Sequence, residues 1–265
     1  QNRITNKFLK KIPYREKIKG RLTELNDYEK FSIPFQEGDK YYFYKNDGLQ
    51  NQWVLYRQDN LKAEPELVLD PNIFSEDGTV ALRGTYFSHD SRYMGYGISA
   101  SGSDWKEFFI LDLDSGKKLT DQIQWIKFSG MAWTNNGFYY SSFPKPNKGD
   151  ELSATNENSK VYYHELGTNQ NADILIFEDP NNPRHSPYVS TTDDNNYLIL
   201  YQSKGTHGNT VAIKNLNNPD SPFVPIISDF EGEHGILHND GNKFYMITDR
   251  FAPKKRLVSF TLDNP

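Results

Sequence analysis

The stretch MAWTNNGFYYSSF, Met131–Phe143, joins two runs of strand-forming residues through the tight polar turn Asn135-Asn136-Gly137. Aromatic and β-branched residues suit a half-buried pleated surface, and an Asn-Gly pair between two such runs is typical of a hairpin. The same order of strand, polar turn and strand occurs five times along the chain. The five turns are Gly38-Asp39, Asp90-Ser91, Asn135-Asn136-Gly137, Asp193-Asp194-Asn195 and Asp240-Gly241.

These turns follow one another at intervals of 52, 46, 58 and 47 residues, measured between Gly38, Asp90, Asn136, Asp194 and Gly241. A repeat of this length is typical of a β-propeller blade. One small antiparallel sheet cannot bury both of its faces alone, so successive sheets pack face to face around an axis. We therefore predict an all-β fold, a β-propeller of which about five blades are present.

The N-terminal segment has a different pattern from the rest of the chain. Between Ile4 and Leu25 the apolar residues are mostly three or four positions apart, which is helical spacing, and Pro13 divides the segment into two helices. We predict a short helical N-terminal segment, residues 1–28, followed by a partial propeller domain, residues 29–265. The last blade ends before a fourth strand, and for that reason we expect the sequence to be a piece of a longer protein.

The predicted strands group into five blades. They are 40–45 and 52–57 in the first blade, 86–88, 93–98 and 107–113 in the second, 131–134, 138–143, 161–165 and 173–177 in the third, 188–190, 197–202, 210–214 and 223–227 in the fourth, and 235–237, 243–248 and 256–261 in the fifth. Residues 144–159 interrupt the third blade with a long stretch that contains no strand pattern. Connections of this length are uncommon, and they are usually functional or mobile.

Composition excludes several classes of protein. The 265 residues carry a net charge of -5 and a sequence pI near 5.7, whereas proteins that bind nucleic acid or anionic membranes need a basic surface. The chain has no cysteine, so disulfides, thiolate metal sites and a cysteine nucleophile are excluded. The sequence also has no apolar run of the ~18 residues needed for a transmembrane helix. We expect a soluble protein with neither a nucleic-acid nor a membrane partner.

The histidines do not form a recognisable metal motif. His234 and His238 are four residues apart, with Glu231 and Glu233 nearby, but glycines interrupt any helix at this point. In an extended strand residues i and i+4 share a face yet lie about 13 Å apart, too far for one ion. The four remaining histidines, His89, His164, His185 and His207, are isolated in the sequence. We therefore predict neither a metal nor any other cofactor.

Several stretches between the predicted blades resemble the N-terminal part of the prolyl oligopeptidases, a family of serine peptidases, and particularly its Bacteroidetes-type bacterial members. The likeness covers the whole chain in the order of the family. The stretches are Ile12-Pro13-Tyr14-Arg15, KNDGLQNQ at 45–52 with Val54-Leu55-Tyr56, Leu69-Asp70-Pro71-Asn72, SASGSDW at 99–105, KFSGMAW at 127–133 and YYHELGT at 162–168.

The resemblance implies a seven-bladed propeller that covers a C-terminal α/β-hydrolase domain and admits only short proline-containing peptides. In the family the catalytic serine, aspartate and histidine belong to the hydrolase domain, to which no part of this chain corresponds. We expect no catalytic residue here and no activity from the chain alone. The nearest approach to a nucleophile elbow, Gly97-Ile98-Ser99-Ala100-Ser101, has serine where the final glycine is required. The parent enzyme would be cytoplasmic or periplasmic.

By resemblance, three propeller residues correspond to the outer part of the substrate pocket: Phe128, Ser186 and Thr206. Phe128 matches the family in residue type and position, although an aromatic residue here could equally belong to the blade core. Ser186 and Thr206 replace the Met and Cys that the family can carry. Residues 144–159 correspond to a mobile segment implicated in substrate access, and the alternative is a solvated loop without a role.

Two other functions are compatible with a propeller. The first is a stand-alone module that binds a peptide or protein on its axial face, since propellers serve many functions. The second is a propeller enzyme that acts on sugars or lactones with its own axial metal. That enzyme would need a ring of inward Asp, Glu and His residues, and no such set occurs at matching blade positions.

Overall fold

The computed structural model describes residues 1–264, which contain two α-helices followed by twenty β-strands. The chain divides into two compact units, residues 1–81 and the part from Leu82 onward. All strand pairings are antiparallel, and each sheet is built from strands that follow one another in the sequence. The structure thus confirms the predicted all-β class and its helical N-terminal segment.

Helix α1 spans Asn2–Leu9 and helix α2 spans Arg15–Asn26, on either side of Pro13 as predicted. Neither helix buries any residue, and their apolar side chains, such as Phe8 and Leu22, are exposed. In the described part of the chain, no helix has the length and apolarity needed to cross a membrane.

The first sheet lies within the first unit and consists of β1 (Lys30–Phe31), β2 (Phe35–Glu37), β3 (Lys40–Asn46), β4 (Val54–Gln58) and β5 (Glu66–Leu69). Its order is β1-β3-β4-β5, and β2 also pairs with β3. The core of this sheet includes Tyr42 and Leu55, which are almost fully buried.

Four further sheets follow in chain order. The second consists of β6 (Val80–Phe87), β7 (Tyr93–Ala100), β8 (Lys106–Asp112) and β9 (Lys117–Ile126); the third of β10 (Ala132–Thr134), β11 (Gly137–Ser142), β12 (Lys160–Glu165) and β13 (Ile174–Phe177); the fourth of β14 (Ser186–Thr191), β15 (Tyr197–Ser203), β16 (Thr210–Asn215) and β17 (Val224–Ile227); the fifth of β18 (His234–Asp240), β19 (Lys243–Thr248) and β20 (Arg256–Thr261).

Successive sheets from the second to the fifth share hydrophobic cores. Along β11, Phe138 and Tyr140 pack against residues of the second sheet, whereas Tyr139 packs against residues of the fourth. Along β15, Leu198 packs toward the third sheet and Ile199 toward the fifth. Side chains alternate between the faces of a strand, so a central strand that is buried on both faces is apolar at every position.

The predicted central strands agree with the structure to within a few residues, but several outer strands were missed. Sequence reasoning omitted β1, β2, β5 and the whole of β9, and it predicted only the end of β6. Strand β9 has the sequence KKLTDQIQWI, and its pairing with β8 is broken by two register shifts. An edge strand of this kind exposes polar residues and lacks the clean alternation on which the prediction depended.

Candidate functional site

One edge of the second to fifth sheets carries the residues that resemblance assigned to substrate binding. In an antiparallel sheet this edge is where the first strand begins, the second ends and the third begins. In the fourth sheet it is marked by Ser186 at the start of β14, Ser203 at the end of β15 and Thr210 at the start of β16. Three adjoining cavities lie along this edge.

The middle cavity has a volume of about 240 Å³ and contains two of the three expected residues, Phe128 and Ser186. Its remaining lining residues are Lys127, Phe143, Ser159, Pro187, Tyr188 and Ser203. Ser186 and Ser203 are directly paired across β14 and β15. The cavity therefore combines an aromatic wall with serine hydroxyls, a mixture that suits a short peptide segment.

The Thr206 cavity, of about 330 Å³, adjoins the middle cavity, because Tyr188 and Ser203 line both. Its wall holds Thr206, which is exposed in the connection between β15 and β16. The three expected residues thus lie on one continuous surface, although Thr206 does not line the same cavity as the other two.

Phe128 is exposed over 68% of its surface, which excludes it from the blade core. Its backbone has a φ of 54°, in the left-handed region that bulky residues rarely adopt, at a cost of about 1–2 kcal/mol. The neighbours Lys127 and Ser129 are both buried, so the chain turns this one ring outward. A strained backbone that exposes an aromatic ring at a cavity is the kind of outlier from which a binding role can be inferred.

The Trp105 cavity, of about 260 Å³, adjoins the middle cavity through Phe143 and is lined mostly by residues 144–158. Residues 144–159 contain no helix or strand, as predicted. The segment is nevertheless attached to the sheets. The indole Nε1 of Trp105 donates a hydrogen bond of 2.6 Å to the carbonyl of Glu151, and the Nζ of Lys127 donates one of 3.0 Å to Oδ1 of Asn156.

Lys127 is 9% exposed, and its ammonium lies 3.9 Å from the centroid of the Trp105 ring. Burial lowers the pKa of this lysine. At the far end of the segment, the amide of Asn158 donates to the carbonyl of Pro183, and Glu157 forms an ion pair with Arg184. The segment is therefore held at three points around the Trp105 cavity.

A cluster that sequence reasoning missed lies beside the Thr206 cavity, and two of its three members, His207 and Glu233, line that cavity. His207, Glu233 and Asp249 have ligand-type atoms that all lie within 4.8 Å of one another. These residues are 16 to 42 positions apart and come from two sheets, so no local spacing could reveal them. The only available signal was that each flanks a predicted strand at the same sheet edge.

The structure also corrects the description of His234 and His238. The pairing of β18 with β19 shifts between Ile236 and His238, so a β-bulge reverses the alternation. His234 is consequently buried while His238 is exposed. The expectation that both share one face was wrong, because it assumed a regular strand.

The description of His164 as isolated was wrong as well. Its ring is fully buried between two carboxylates, with Nδ1 2.7 Å from Oδ1 of Asp173 and Nε2 3.1 Å from Oδ1 of Asp121. Burial alone would lower the pKa of His164, but the hydrogen bonds and charges of both aspartates outweigh it and raise the pKa to about 9. Burial would likewise raise the pKa of Asp121, yet hydrogen bonds from His164 and the Gly167 amide hold it below its usual value.

The arrangement of the described residues contains no serine-protease centre. None of their histidines is hydrogen-bonded to a serine hydroxyl. Ser99 of the elbow-like stretch is buried in β7 and accepts a hydrogen bond from Arg83, and a turn and β8 follow in place of a helix.

A family model described as "Prolyl oligopeptidase, N-terminal beta-propeller domain" matches residues 1–265. A prolyl endopeptidase of Elizabethkingia meningoseptica is 42% identical over 264 residues, which cover 99% of this chain and 37% of that relative. The prolyl oligopeptidase A of Amanita bisporigera is 31% identical and is covered to 39%. The chain therefore spans well under half of the length of these curated relatives.

Solved structures show the same likeness. A structure from a study of two prolyl endopeptidases and their inter-domain dynamics in catalysis and specificity superposes with a TM-score of 0.79 at 30% identity, over 98% of this chain and 38% of that one. Prolyl oligopeptidase B from Galerina marginata, bound to a 35-residue hydrolysis and macrocyclization substrate, superposes with a TM-score of 0.89 at 25% identity, over 98% and 39%.

Proposed function

This chain belongs to the prolyl oligopeptidase family, of which it is the N-terminal β-propeller domain, and from that premise we propose that it admits short peptides to a peptidase centre and holds them beside it. The observation that carries the proposal is the exposed Phe128 ring, which lines the middle cavity together with Ser186. The Galerina relative is a peptide-bound member of the same fold, which supports a peptide as ligand.

The binding surface we propose consists of Phe128, Ser186 and Thr206. Phe128 offers apolar contact with the ring of a proline or with another apolar side chain, and the two hydroxyls offer hydrogen bonds to peptide groups. Tyr188 and Ser203 connect the two cavities concerned. A peptide of a few residues in extended form, at about 3.3 Å per residue, can pass from one cavity to the other.

We propose that the parent enzyme cleaves after proline with a serine nucleophile contributed by a C-terminal α/β-hydrolase domain. In such a centre histidine takes the proton of the serine, backbone donors stabilise the oxyanion, and water releases the acyl group. The propeller contributes no group to these steps. Its part is to position the peptide and to restrict which peptides enter.

Residues 144–159 would control entry. The segment forms most of the wall of the Trp105 cavity and has three anchors, so its release from Trp105 and Lys127 would widen the approach to Phe128. A few hydrogen bonds of about 1 kcal/mol each permit such opening on the time scale of loop motion.

A chimera tests the proposal. This chain replaces the matching 37% of the Elizabethkingia meningoseptica prolyl endopeptidase, and cleavage of a fluorogenic Gly-Pro peptide is measured for the chain alone and for the chimera. We expect no cleavage by the chain and clear cleavage by the chimera. Cleavage by the chain alone, or a folded chimera that binds the peptide without cleaving it, would contradict the proposal, and the second outcome would favour a binding module.

Within the chimera, Phe128→Ala should raise KM for a peptide extended on the amino side of proline by about three- to tenfold, with kcat little changed, because uniform binding is lost. Phe251→Ala is the matched control. Phe251 is exposed over 84% of its surface and has the same φ of 54°, but it lines none of the three cavities. Equal effects of the two substitutions on KM would show that Phe128 is not part of the binding surface.

A further inference from the structure

His207, Glu233 and Asp249 come together from three separate segments beside the Thr206 cavity, whose wall includes His207 and Glu233. His207 lies between β15 and β16, Glu233 immediately precedes β18, and Asp249 immediately follows β19. Nδ1 of His207 is 3.5 Å from Oε1 of Glu233, and its Nε2 is 3.9 Å from Oδ2 of Asp249. One imidazole and two carboxylates from the fourth and fifth sheets thus lie together, with ligand-type atoms within 4.8 Å of one another, and the two nitrogens of the ring face different carboxylates.

The second oxygen of each carboxylate is already used by the protein. Oδ1 of Asp249 accepts a 2.7 Å hydrogen bond from the backbone amide of Glu233, and Oε2 of Glu233 is 3.1 Å from the ammonium of Lys255. The oxygens that remain, Oδ2 and Oε1, are the ones nearest to His207. A carboxylate whose second oxygen accepts a backbone hydrogen bond, as in Asp249, is characteristic of metal ligands, because the fixed oxygen orients the free one. At Glu233 the Lys255 ammonium instead supplies a positive charge that a bound ion would replace.

The loop that carries His207 is also fixed. Gly208 has a φ of 81°, and a Cβ at this position would lie 2.0 Å from the carbonyl oxygen of Phe230, so only glycine fits. The buried side chain of Asn209 binds both backbone groups of His234, accepting from its amide at 2.9 Å and donating to its carbonyl at 3.0 Å. His207 is thereby held opposite the two carboxylates, although its own ring is exposed.

An independent observation concerns His234, which lines the same cavity and is only 5% exposed. Its Nδ1 is 2.9 Å from Oγ1 of Thr248, and its buried Nε2 has no hydrogen-bond partner among the described residues. A buried imidazole nitrogen without a partner is costly, and such groups normally bind a water molecule or a ligand. This nitrogen therefore points to an additional polar occupant of the cavity.

We propose that His207, Glu233 and Asp249 bind a divalent transition-metal ion of the zinc type, and that Nε2 of His234 bonds to a water molecule on that ion. Ligand atoms around such an ion lie about 3.0–3.5 Å apart at bond lengths of about 2.0–2.2 Å. An ion bonds to one nitrogen of an imidazole, so rotation of the exposed His207 ring and small movements of the two carboxylates would bring one nitrogen and two oxygens into this range from separations of at most 4.8 Å. Mixed nitrogen and carboxylate ligands favour Zn²⁺, Mn²⁺ or Co²⁺ over Mg²⁺.

Two consequences follow for the chain. The ion would link the β15–β16 connection of the fourth sheet to the residues that immediately precede β18 and follow β19 in the fifth. It would therefore stabilise the packing of these two sheets. It would also displace Lys255 from Glu233, because the ammonium competes for the same carboxylate. Removal of Lys255 should therefore strengthen metal binding, an effect not expected of adventitious binding elsewhere.

The test is a titration of the EDTA-treated and desalted chain with ZnCl₂ by isothermal calorimetry, together with its thermal unfolding midpoint. We expect one equivalent to bind, and an excess of roughly 100 times Kd to raise the midpoint by roughly 5–10 °C. His207→Ala should weaken binding by roughly 100-fold, and Lys255→Gln should strengthen it several-fold.

His238→Ala is the matched control, because His238 is an exposed histidine on the same hairpin and outside the cavity. Asp249→Asn is a second variant. It keeps an oxygen that can accept the hydrogen bond from the Glu233 amide but loses the negative charge, and it should weaken Zn²⁺ binding as well. The proposal is overturned if Zn²⁺ produces no saturable heat, if His238→Ala and His207→Ala weaken binding equally, or if Lys255→Gln weakens it.

Discussion

At the scale of single residues, His164 shows what a sequence pattern cannot provide. Its two carboxylate partners are 9 and 43 residues away, and Asp121 lies in β9, a strand that the pattern did not reveal. The hydroxyl of Tyr140 adds a 2.6 Å hydrogen bond to the other oxygen of Asp173. The result is a buried charged group that connects the second and third sheets, where sequence reasoning saw an unpaired histidine.

We predict that the stability of the chain falls as pH rises through about 9. The pKa of His164 is near 9 in the folded chain and about 6.5 when unfolded, so the proton stabilises the folded state fully below pH 6.5. That contribution, at most about 3 kcal/mol, is lost as pH rises through 9. Urea unfolding at several pH values between 6 and 9.5 measures this loss of stability.

The comparison variant for this prediction is His164→Gln, which does not titrate. It should be less stable than the unsubstituted chain at pH 6.5, because the substitution leaves the two buried aspartates without a cation. The difference between the two proteins should shrink toward pH 9.5. A difference that is independent of pH would show that the imidazole is not charged in the folded state.

At the scale of secondary-structure elements, burial decided which strands could be predicted. Every residue of β11 is buried, and its aromatic run is visible in the sequence. By contrast, β5 has an exposed beginning, and β9 alternates irregularly because of its register shifts. The element between β11 and β12 was correctly predicted to be irregular, but its attachment to Trp105 and Lys127 was not. Those contacts join residues 29 to 46 positions apart.

We predict that Trp105→Phe loosens residues 144–159 without unfolding the sheets. Phenylalanine keeps an aromatic ring near Trp125 and Phe143 but lacks the indole N–H that binds the carbonyl of Glu151. Loss of this hydrogen bond should lower the free energy of opening the segment by about 1 kcal/mol, which makes hydrogen exchange of the Ser153 and Ala154 amides about fivefold faster. Both amides donate to the carbonyl of Asp150 inside this segment.

The control for this substitution is Trp53→Phe, at a partly exposed tryptophan of the first unit. It should leave the exchange of residues 149–156 unchanged. Unchanged exchange in Trp105→Phe would mean that the other anchors, at Asn156 and Asn158, hold the segment by themselves. In the chimera, the loosened segment should also speed peptide entry, which appears as a higher kcat/KM for longer peptides.

At the scale of the whole molecule, the repeat of turns was the most informative part of the sequence, because it reflects a requirement of packing. Each sheet must share its faces with its neighbours, and the alternation of Leu198 and Ile199 between two cores shows this requirement at single positions. The cavities at the sheet edge could not be predicted in the same way. They depend on how connections from different blades meet, and connections follow no period.

The shared cores predict that the second to fifth sheets unfold as one cooperative unit. Leu198 is fully buried between the third and fourth sheets, and Leu198→Ala should lower the free energy of unfolding by about 2–5 kcal/mol. Ile213 is fully buried between the fourth and fifth sheets, and Ile213→Val should cost about 0.5–1.5 kcal/mol in the same transition. Leu257→Ala, at a position exposed over 63% of its surface, should cost far less than Leu198→Ala. Circular dichroism and tryptophan fluorescence should give coincident urea transitions for all three variants, because a sheet that loses one neighbour loses half of its core. Separate transitions in Leu198→Ala would mean that the sheets on either side of Leu198 fold independently.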